Sequence, residues 1–322
     1  VVEHPTRPGV VSGPPAVEVE IAAALDGERV DRVVAMLTGL SRAVAAALVD
    51  AGGVLLDGTV VPARSQRVAT GQVLVVHDVP EPTIRLPEPD PSVPFGVVFE
   101  DEHLLVVDKP AGVVAHPGNG VGGGTLVHGL LARHPGLAGV GEPHRPGIVH
   151  RLDRGTSGLL VVALDEATRL DLIDLLATHD VHRRYRALVL GHPNSAGGLV
   201  DAPIGRSRRD PTRRAVTHDG KPARTRFRVV ATHDGPEPLT QLDCDLETGR
   251  THQIRVHLRS IGHPVVADTV YGGGRCTLGL DRPFLHAREL AFTHPRTGEA
   301  LSFESPLPED LSAVLARLDP PG

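Results

Sequence analysis

The chain has 322 residues, enough for roughly two domains, and 40% of them are hydrophobic. No apolar run approaches the ~18 residues that a membrane-spanning helix needs, so no membrane association is expected. The formal net charge of -6 excludes a uniformly basic nucleic-acid binder, and any such role must come from local charge.

In chain order, residues 1–16 read as a disordered lead-in. Val1 to Pro15 carries prolines and charges without a signal-type apolar core, and Cys244 and Cys276 suit a reducing compartment, so the expected location is cytoplasmic. Residues 17–76 then read as a small αβ unit. Val17 to Ala22 alternates like a strand, and Arg29 to Leu37 places Val30, Val33, Val34 and Leu37 on one helical stripe. Ser41 fits the N-cap of a second helix, Arg42 to Asp50, which Gly52-Gly53 ends. Asp57-Gly58 between Val54-Leu55-Leu56 and Val60-Val61 signals a hairpin, and Val73 to Val76 supplies a last strand.

Six prolines from Pro80 to Pro94 make residues 77–94 an extended linker. The main domain spans residues 95–318. Its expected strands are Gly96 to Phe99, Leu104 to Val107, Leu159 to Ala163, Tyr185 to Leu190, Phe227 to Ala231, Leu239 to Leu246 and Ile254 to Leu258. Its expected helices are Thr125 to Ala132, Ala167 to Thr178 and Glu309 to Leu318. That balance predicts an α+β fold with a mixed, largely antiparallel sheet.

The chemistry gathers around His150-Arg151-Leu152-Asp153-Arg154-Gly155-Thr156-Ser157-Gly158, which runs straight into the apolar strand Leu159 to Ala163. Arg151 and Arg154 flank Asp153, and cationic neighbours favour the charged form of a carboxylate. A charged carboxylate suits nucleophilic attack. A surface ion cluster that only pins a loop is the competing reading. The run faintly resembles a kinase catalytic loop, but the order is wrong and no Asp-Phe-Gly follows.

From Arg206 to Arg228, eight arginines and Lys221 face only Asp210 and Asp219, a local balance of +7 that suits phosphates. Gly118, Gly120 and Gly123 have dinucleotide-loop spacing but lie too far past their strand, so a flexible substrate loop is expected instead. His252 and His257 come nearest to ligand spacing. On a strand they would face opposite ways, which argues against a shared metal. Asp243, Asp245 and Glu247 share one strand face and are expected in solvent. Of the two tyrosines, Tyr185 sits among arginines at a strand start, where it suits either the core or a base stack, and Tyr271 reads as core. Gly249 to Leu258 is dense in hydrogen-bonding side chains, as a site lining would be.

Asp108-Lys109-Pro110 through His116-Pro117, His150 through Gly158, Arg184-Tyr185 and Gly249 through Leu258 together resemble the RluA/RluD-like pseudouridine synthases. Gly262-His263-Pro264, Asp268 to Gly272, and Leu285-His286-Ala287 before the C-terminal strands extend the match over residues 95–318. Arg32, Ser41-Arg42 and Val54-Leu55-Leu56-Asp57-Gly58 resemble the small S-four-type RNA-binding domain shared with a ribosomal small-subunit protein, although residues 17–76 hold seven acids against five arginines.

The resemblance implies isomerisation of uridine to pseudouridine in large-subunit (23S) ribosomal RNA, at an exposed stem-loop, by a monomer without cofactor or metal. It implies that Asp153 is the catalytic carboxylate, that Arg255 pairs with it (Arg250 being the alternative), and that Tyr185 lies against the flipped base. Arg151 would fill the gap the base leaves. Further RNA contacts are expected from Arg154, Arg250 and His252 near the motif, from Arg208, Arg209, Arg213 and Arg214 in the run, and from Arg42 in the small unit. The rivals are a non-catalytic RNA-binding or ribosome-assembly factor, and a hydrolase with an aspartate nucleophile. The hydrolase reading lacks a second acid at a recognisable position.

Overall fold

A computed structural model describes residues 16–40, 42–79, 86–117, 123–207, 209–210, 213–235 and 237–318. The lead-in up to Pro15, the Ser41 cap, Pro80 and Pro82, Gly118 and Gly120, and Arg208 lie outside the described residues. The chain divides into two units, 1–84 and 85–322.

In the first unit, β1 (Val17–Glu20) leads to α1 (Val30–Thr38) and α2 (Arg42–Asp50), followed by β2 (Val54–Leu56), β3 (Thr59–Val60) and β4 (Val73–Val76). The strands pair antiparallel in the order β1-β4-β2-β3. Val30, Val33 and Val34 bury the expected helical stripe against Ala45, Val49, Leu74 and Val76. Asp57 and Gly58 both take positive φ, 49° and 73°, as the tight hairpin requires. Arg42 shares the buried Asp31 carboxylate with Arg29, at 3.3 and 2.8 Å.

The second unit opens with residues 86–94, which are not a free extended linker. Val93 is buried, and the Asp90 amide donates to the His128 carbonyl at 2.9 Å. The elements that follow are β5 (Gly96–Glu100), β6 (Leu104–Lys109), α3 (Leu126–Arg133), β7 (Ser157–Ala163), α4 (Glu166–Ala177), β8 (His182–Leu190), β9 (Gly197–Asp201), β10 (Ile204–Arg206), β11 (Arg214–Val216), β12 (Arg224–His233), β13 (Leu239–Leu246), α5 (Gln253–Ser260), β14 (Leu285–Thr293), β15 (Ala300–Glu304) and α6 (Glu309–Leu318). Among the described residues, nine strands form one sheet in the order β5-β6-β7-β14-β8-β13-β12-β9, with β15 on β14 and β10-β11 as a separate ribbon. Only β7 and β14 run parallel among the described pairs. The α+β expectation holds.

β6 and β7 are buried on both faces, which is why their apolar runs are continuous rather than alternating. Leu105, Val107, Leu160 and Val162 pack with α3 and α6. Leu104, Val106, Leu159 and Val161 pack with Leu172 of α4 on the opposite side. No single described helix is long and apolar enough to cross a membrane.

Ile254 to Leu258 is part of helix α5, not a strand. Ile254, Val256 and Leu258 mimic strand alternation, but Arg255 and His257 between them are buried too, and a helix accommodates both sets. Gln253 fixes its first turn: its side-chain oxygen accepts from Arg250 N and Thr248 Oγ1, and its Nε2 donates to Arg224 O. Asp243 and Asp245 of β13, and Glu247 just past its end, also do not stand free in solvent. Asp243 is 4% exposed between Arg186 and Arg228, Asp245 takes Arg184, and Glu247 takes Arg224 and Arg226. A cross-strand ladder of ion pairs therefore engages three of the eight arginines of the basic run.

Candidate active site

The loop carrying Asp153 is fixed from several sides. Gly158, the second residue of β7, has φ 113°, and a Cβ there would lie 2.1 Å from the Ala287 carbonyl oxygen, so only glycine lets β7 and β14 meet. Arg282, paired with Asp310, donates to Gly155 O (3.2 Å) and Ser157 Oγ (3.3 Å). The Ser157 hydroxyl sits 2.9 Å from His286 Nδ1. His150 Nε2 accepts the Val161 N–H at 3.2 Å. Burial, aided by the Arg183 charge, pushes His150 down to about 3, so that ring stays neutral and structural. Beneath the loop, fully buried Lys109 donates to the carbonyls of Pro110 and Val113, both at 2.9 Å. Burial pushes Lys109 down to about 7; the Asp153 charge opposes this and the Arg282 charge adds to it.

Asp153 itself faces a cleft of about 360 Å³, within the range of small-ligand sites. Its cation is Arg255, whose Nη1 donates to Asp153 Oδ2 at 3.1 Å. Asp268 lies behind and accepts from Nε and Nη2 of the same guanidinium at 2.7 and 2.9 Å. Burial works against the Arg255 charge, but the Asp268 hydrogen bonds and the charges of Asp268 and Asp153 outweigh it and raise its pKa. Asp268 Oδ1 also accepts the backbone amides of Val270 and Tyr271. Arg255 is held like a clamp with one free arm, and that arm holds Asp153.

Tyr185 lines the cleft and is 6% exposed. Burial pushes its phenol up to about 12, with Arg183 opposing and the Asp153 charge reinforcing, so at neutral pH it is an uncharged ring with a proton to give. Opposite the Arg255 bond, His252 Nε2 stands 3.9 Å from Asp153 Oδ1. The cleft thus holds a paired carboxylate, a neutral phenol and an imidazole. That set suits nucleophilic or base chemistry at a planar ring.

The arginines flanking Asp153 in sequence do not pair with it. Arg151 is exposed at the cleft with Nη1 3.4 Å from His116 Nε2, and Arg154 Nε donates to Gly112 O at 3.1 Å. Adjacent side chains on a turning loop diverge, so the partner comes from α5. Arg250 lines the cleft and donates to Pro222 O at 3.0 Å. Arg209 and Arg213 are exposed near the β10-β11 ribbon; Arg213 pairs with Asp210 and donates to Val270 O. The half-buried Arg214 donates its backbone amide to the Tyr271 hydroxyl at 3.0 Å. His257 has both ring nitrogens engaged, with Thr225 Oγ1 and Ala202 O. No group of three or more His, Cys, Asp or Glu among the described residues is placed to hold a metal ion.

Sequence reading passed over three members of this constellation. Asp268 and Lys109 were visible only as parts of longer motifs, and Tyr271 only as core. The available signal for Asp268 was a lone acid between apolar Ala267 and Val270 in a stretch that also holds the second of two tyrosines.

Residues 103–260 match the family model described as RNA pseudouridylate synthase. An uncharacterized RNA pseudouridine synthase of Chloroflexus aurantiacus is 48% identical over 301 residues, covering 90% of each chain. A ribosomal large subunit pseudouridine synthase D of Zymomonas mobilis is 40% identical over 319 residues, covering 94% of this chain and 98% of the relative. Of solved structures, human RNA pseudouridylate synthase domain containing 1 aligns with a TM-score of 0.56 at 29% identity, covering 70% of this chain and 90% of its own.

Proposed function

The chain belongs to the RNA pseudouridine synthase family, and we propose that it isomerises uridines of large-subunit ribosomal RNA with Asp153 as the reacting carboxylate. The observation that carries this is the Arg255–Asp153 pair inside a nucleoside-sized cleft. The reaction breaks the N1–C1′ bond, forms C5–C1′ and in net terms moves the C5 proton to N1, so no atom is gained or lost. Asp153 Oδ2 is occupied by Arg255, which leaves Oδ1 to act at the nucleotide. The neutral Tyr185 phenol serves as a stacking face and hydrogen-bond donor rather than as a base. Arg151, exposed at the cleft, is placed to fill the space of the extruded base and offset part of an unstacking cost of a few kcal/mol.

Large-subunit ribosomal RNA as substrate rests on the naming of relatives such as the Zymomonas mobilis enzyme. An exposed stem-loop is the target that lets a uridine leave its stack at least cost. Residues 17–76, with Arg42, add a second RNA contact; residues 95–318 carry catalysis; the protein acts as a monomer in the cytoplasm, where ribosomes form. The test is incubation of the purified protein with uridine-labelled large-subunit RNA. Pseudouridine at discrete positions supports the reading, and RNA binding without isomerisation would leave an assembly factor.

A further inference from the structure

Tyr271 is 1% exposed, and its hydroxyl has two neighbours. It accepts the Arg214 backbone N–H at 3.0 Å and lies 2.7 Å from His252 Nδ1. A phenol oxygen that already accepts an amide proton has its own proton to give. Nδ1 of His252 is then the acceptor, and the imidazole proton sits on Nε2, the nitrogen that faces Asp153 Oδ1 at 3.9 Å. His252 holds φ 59°, a backbone region side chains other than glycine rarely adopt, at the start of α5. The Tyr271 ring also packs under the Arg255 guanidinium, 5.0 Å from its centroid.

Resting on the catalytic reading of the cleft, we propose that Tyr271 is a positioning residue that fixes the His252 tautomer, so that an Nε2–H donor faces the uridine bound against Asp153. The hydrogen-bond chain Arg214 N–H, Tyr271 O–H, His252 Nε2–H makes that donor depend on the seating of the arginine ribbon. Arg213 ties the same ribbon to Val270 O. RNA that grips the ribbon therefore acts on the donor beside the carboxylate. The charges facing His252 are Asp153, Arg255, Asp268 and Arg151. Burial is the largest influence and keeps the ring below the usual histidine range, so a neutral, single-tautomer imidazole is the form at neutral pH.

Nitrogen-15 NMR of histidine-labelled full-length protein reads the tautomer directly, with the His252 signal assigned by its loss in His252→Gln. Wild type should show Nε2–H alone, and Tyr271→Phe, which keeps the ring and its packing, should show a mixture with Nδ1–H. Single-turnover isomerisation by Tyr271→Phe should fall about tenfold with unchanged RNA affinity. His252→Gln places an amide donor near Nε2 without any tautomer, so it should outperform His252→Leu. In the His252→Gln background Tyr271→Phe should then cost less than about twofold. A wild-type Nδ1–H tautomer, or a Tyr271→Phe cost undiminished in the glutamine background, overturns the proposal. The NMR arm needs no turnover, so it stands apart from any failure of the catalytic reading.

Discussion

Asp268 occupies two donors of Arg255, Nε and Nη2, and thereby leaves Nη1 as the arm that reaches Asp153. Removing Arg255 strands a fully buried Asp268 and a half-buried Asp153 at once. Breaking a buried pair from one side costs about 3–5 kcal/mol. Arg255→Leu should therefore be nearly inactive and less stable to urea by that order. Asp268→Asn added to Arg255→Leu removes the stranded charge but keeps an acceptor for the Val270 and Tyr271 amides, and should recover part of that stability without recovering activity. Arg255→Lys keeps the charge but not the planar fork and should restore only part of the rate. Recovery of activity in the double variant would show that the pair is structural.

The basic run divides by structure into two sets. Arg224, Arg226 and Arg228 are engaged by Glu247 and Asp243, whereas Arg209 is exposed beside the undescribed Arg208. Arg208→Ala with Arg209→Ala should weaken RNA binding and flatten the salt dependence by about 0.7–0.9 per lost phosphate contact. Arg226→Ala with Arg228→Ala should leave the slope unchanged. A wild-type slope in the Arg208→Ala, Arg209→Ala variant would deny these two arginines any direct phosphate contact.

Lys109 gives the fold a pH signature. Its pKa is pushed down to about 7 from 10.5 by burial first, so between those values the unfolded chain holds a proton that the folded chain has released. Stability then rises with pH across that window, and the advantage is lost as pH falls toward 7. Relative to Lys109→Met, wild type should gain up to about 1.4 kcal/mol per pH unit in urea unfolding above pH 7. A constant difference from pH 7 to 9.5 would mean that Lys109 keeps its proton in the fold.

Gly158→Ala tests the junction of β7 with β14. Its Cβ would overlap the Ala287 carbonyl in a backbone conformation that alanine avoids. The expected loss exceeds about 3 kcal/mol, with activity falling alongside because the Asp153 loop runs into the strand there. A Gly158→Ala protein as stable as wild type would place the loop elsewhere.

Much of this was legible in the residues. The Asp153 loop announced itself because a polar motif ran without a break into a doubly buried strand. In the small unit, turn and cap residues marked the elements, as Asp57-Gly58 did. Helix α5 was illegible because Ile254, Val256 and Leu258 alternate, and only the buried partners of Arg255, His257 and Gln253 show that both faces are inside. The Asp268 role was illegible because its carboxylate meets a guanidinium thirteen positions earlier across a loop. The ion-pair ladder needed the registers of β8, β12 and β13, which turn apparently solvated acids into partners of arginines.

In the proposed function the carboxylate of Asp153 performs the isomerisation while Arg255 holds it. Asp153→Asn keeps the shape and can still accept from Arg255 Nη1, but it removes the charge that the proposed role of Asp153 requires. Pseudouridine formation on large-subunit RNA should be measured under single-turnover conditions at saturating protein, beside RNA affinity and urea unfolding for the same preparation. The rate should fall at least about a hundredfold below wild type, with affinity and stability nearly unchanged. A folded, RNA-binding Asp153→Asn protein that keeps more than roughly a tenth of the wild-type rate would contradict the proposed role.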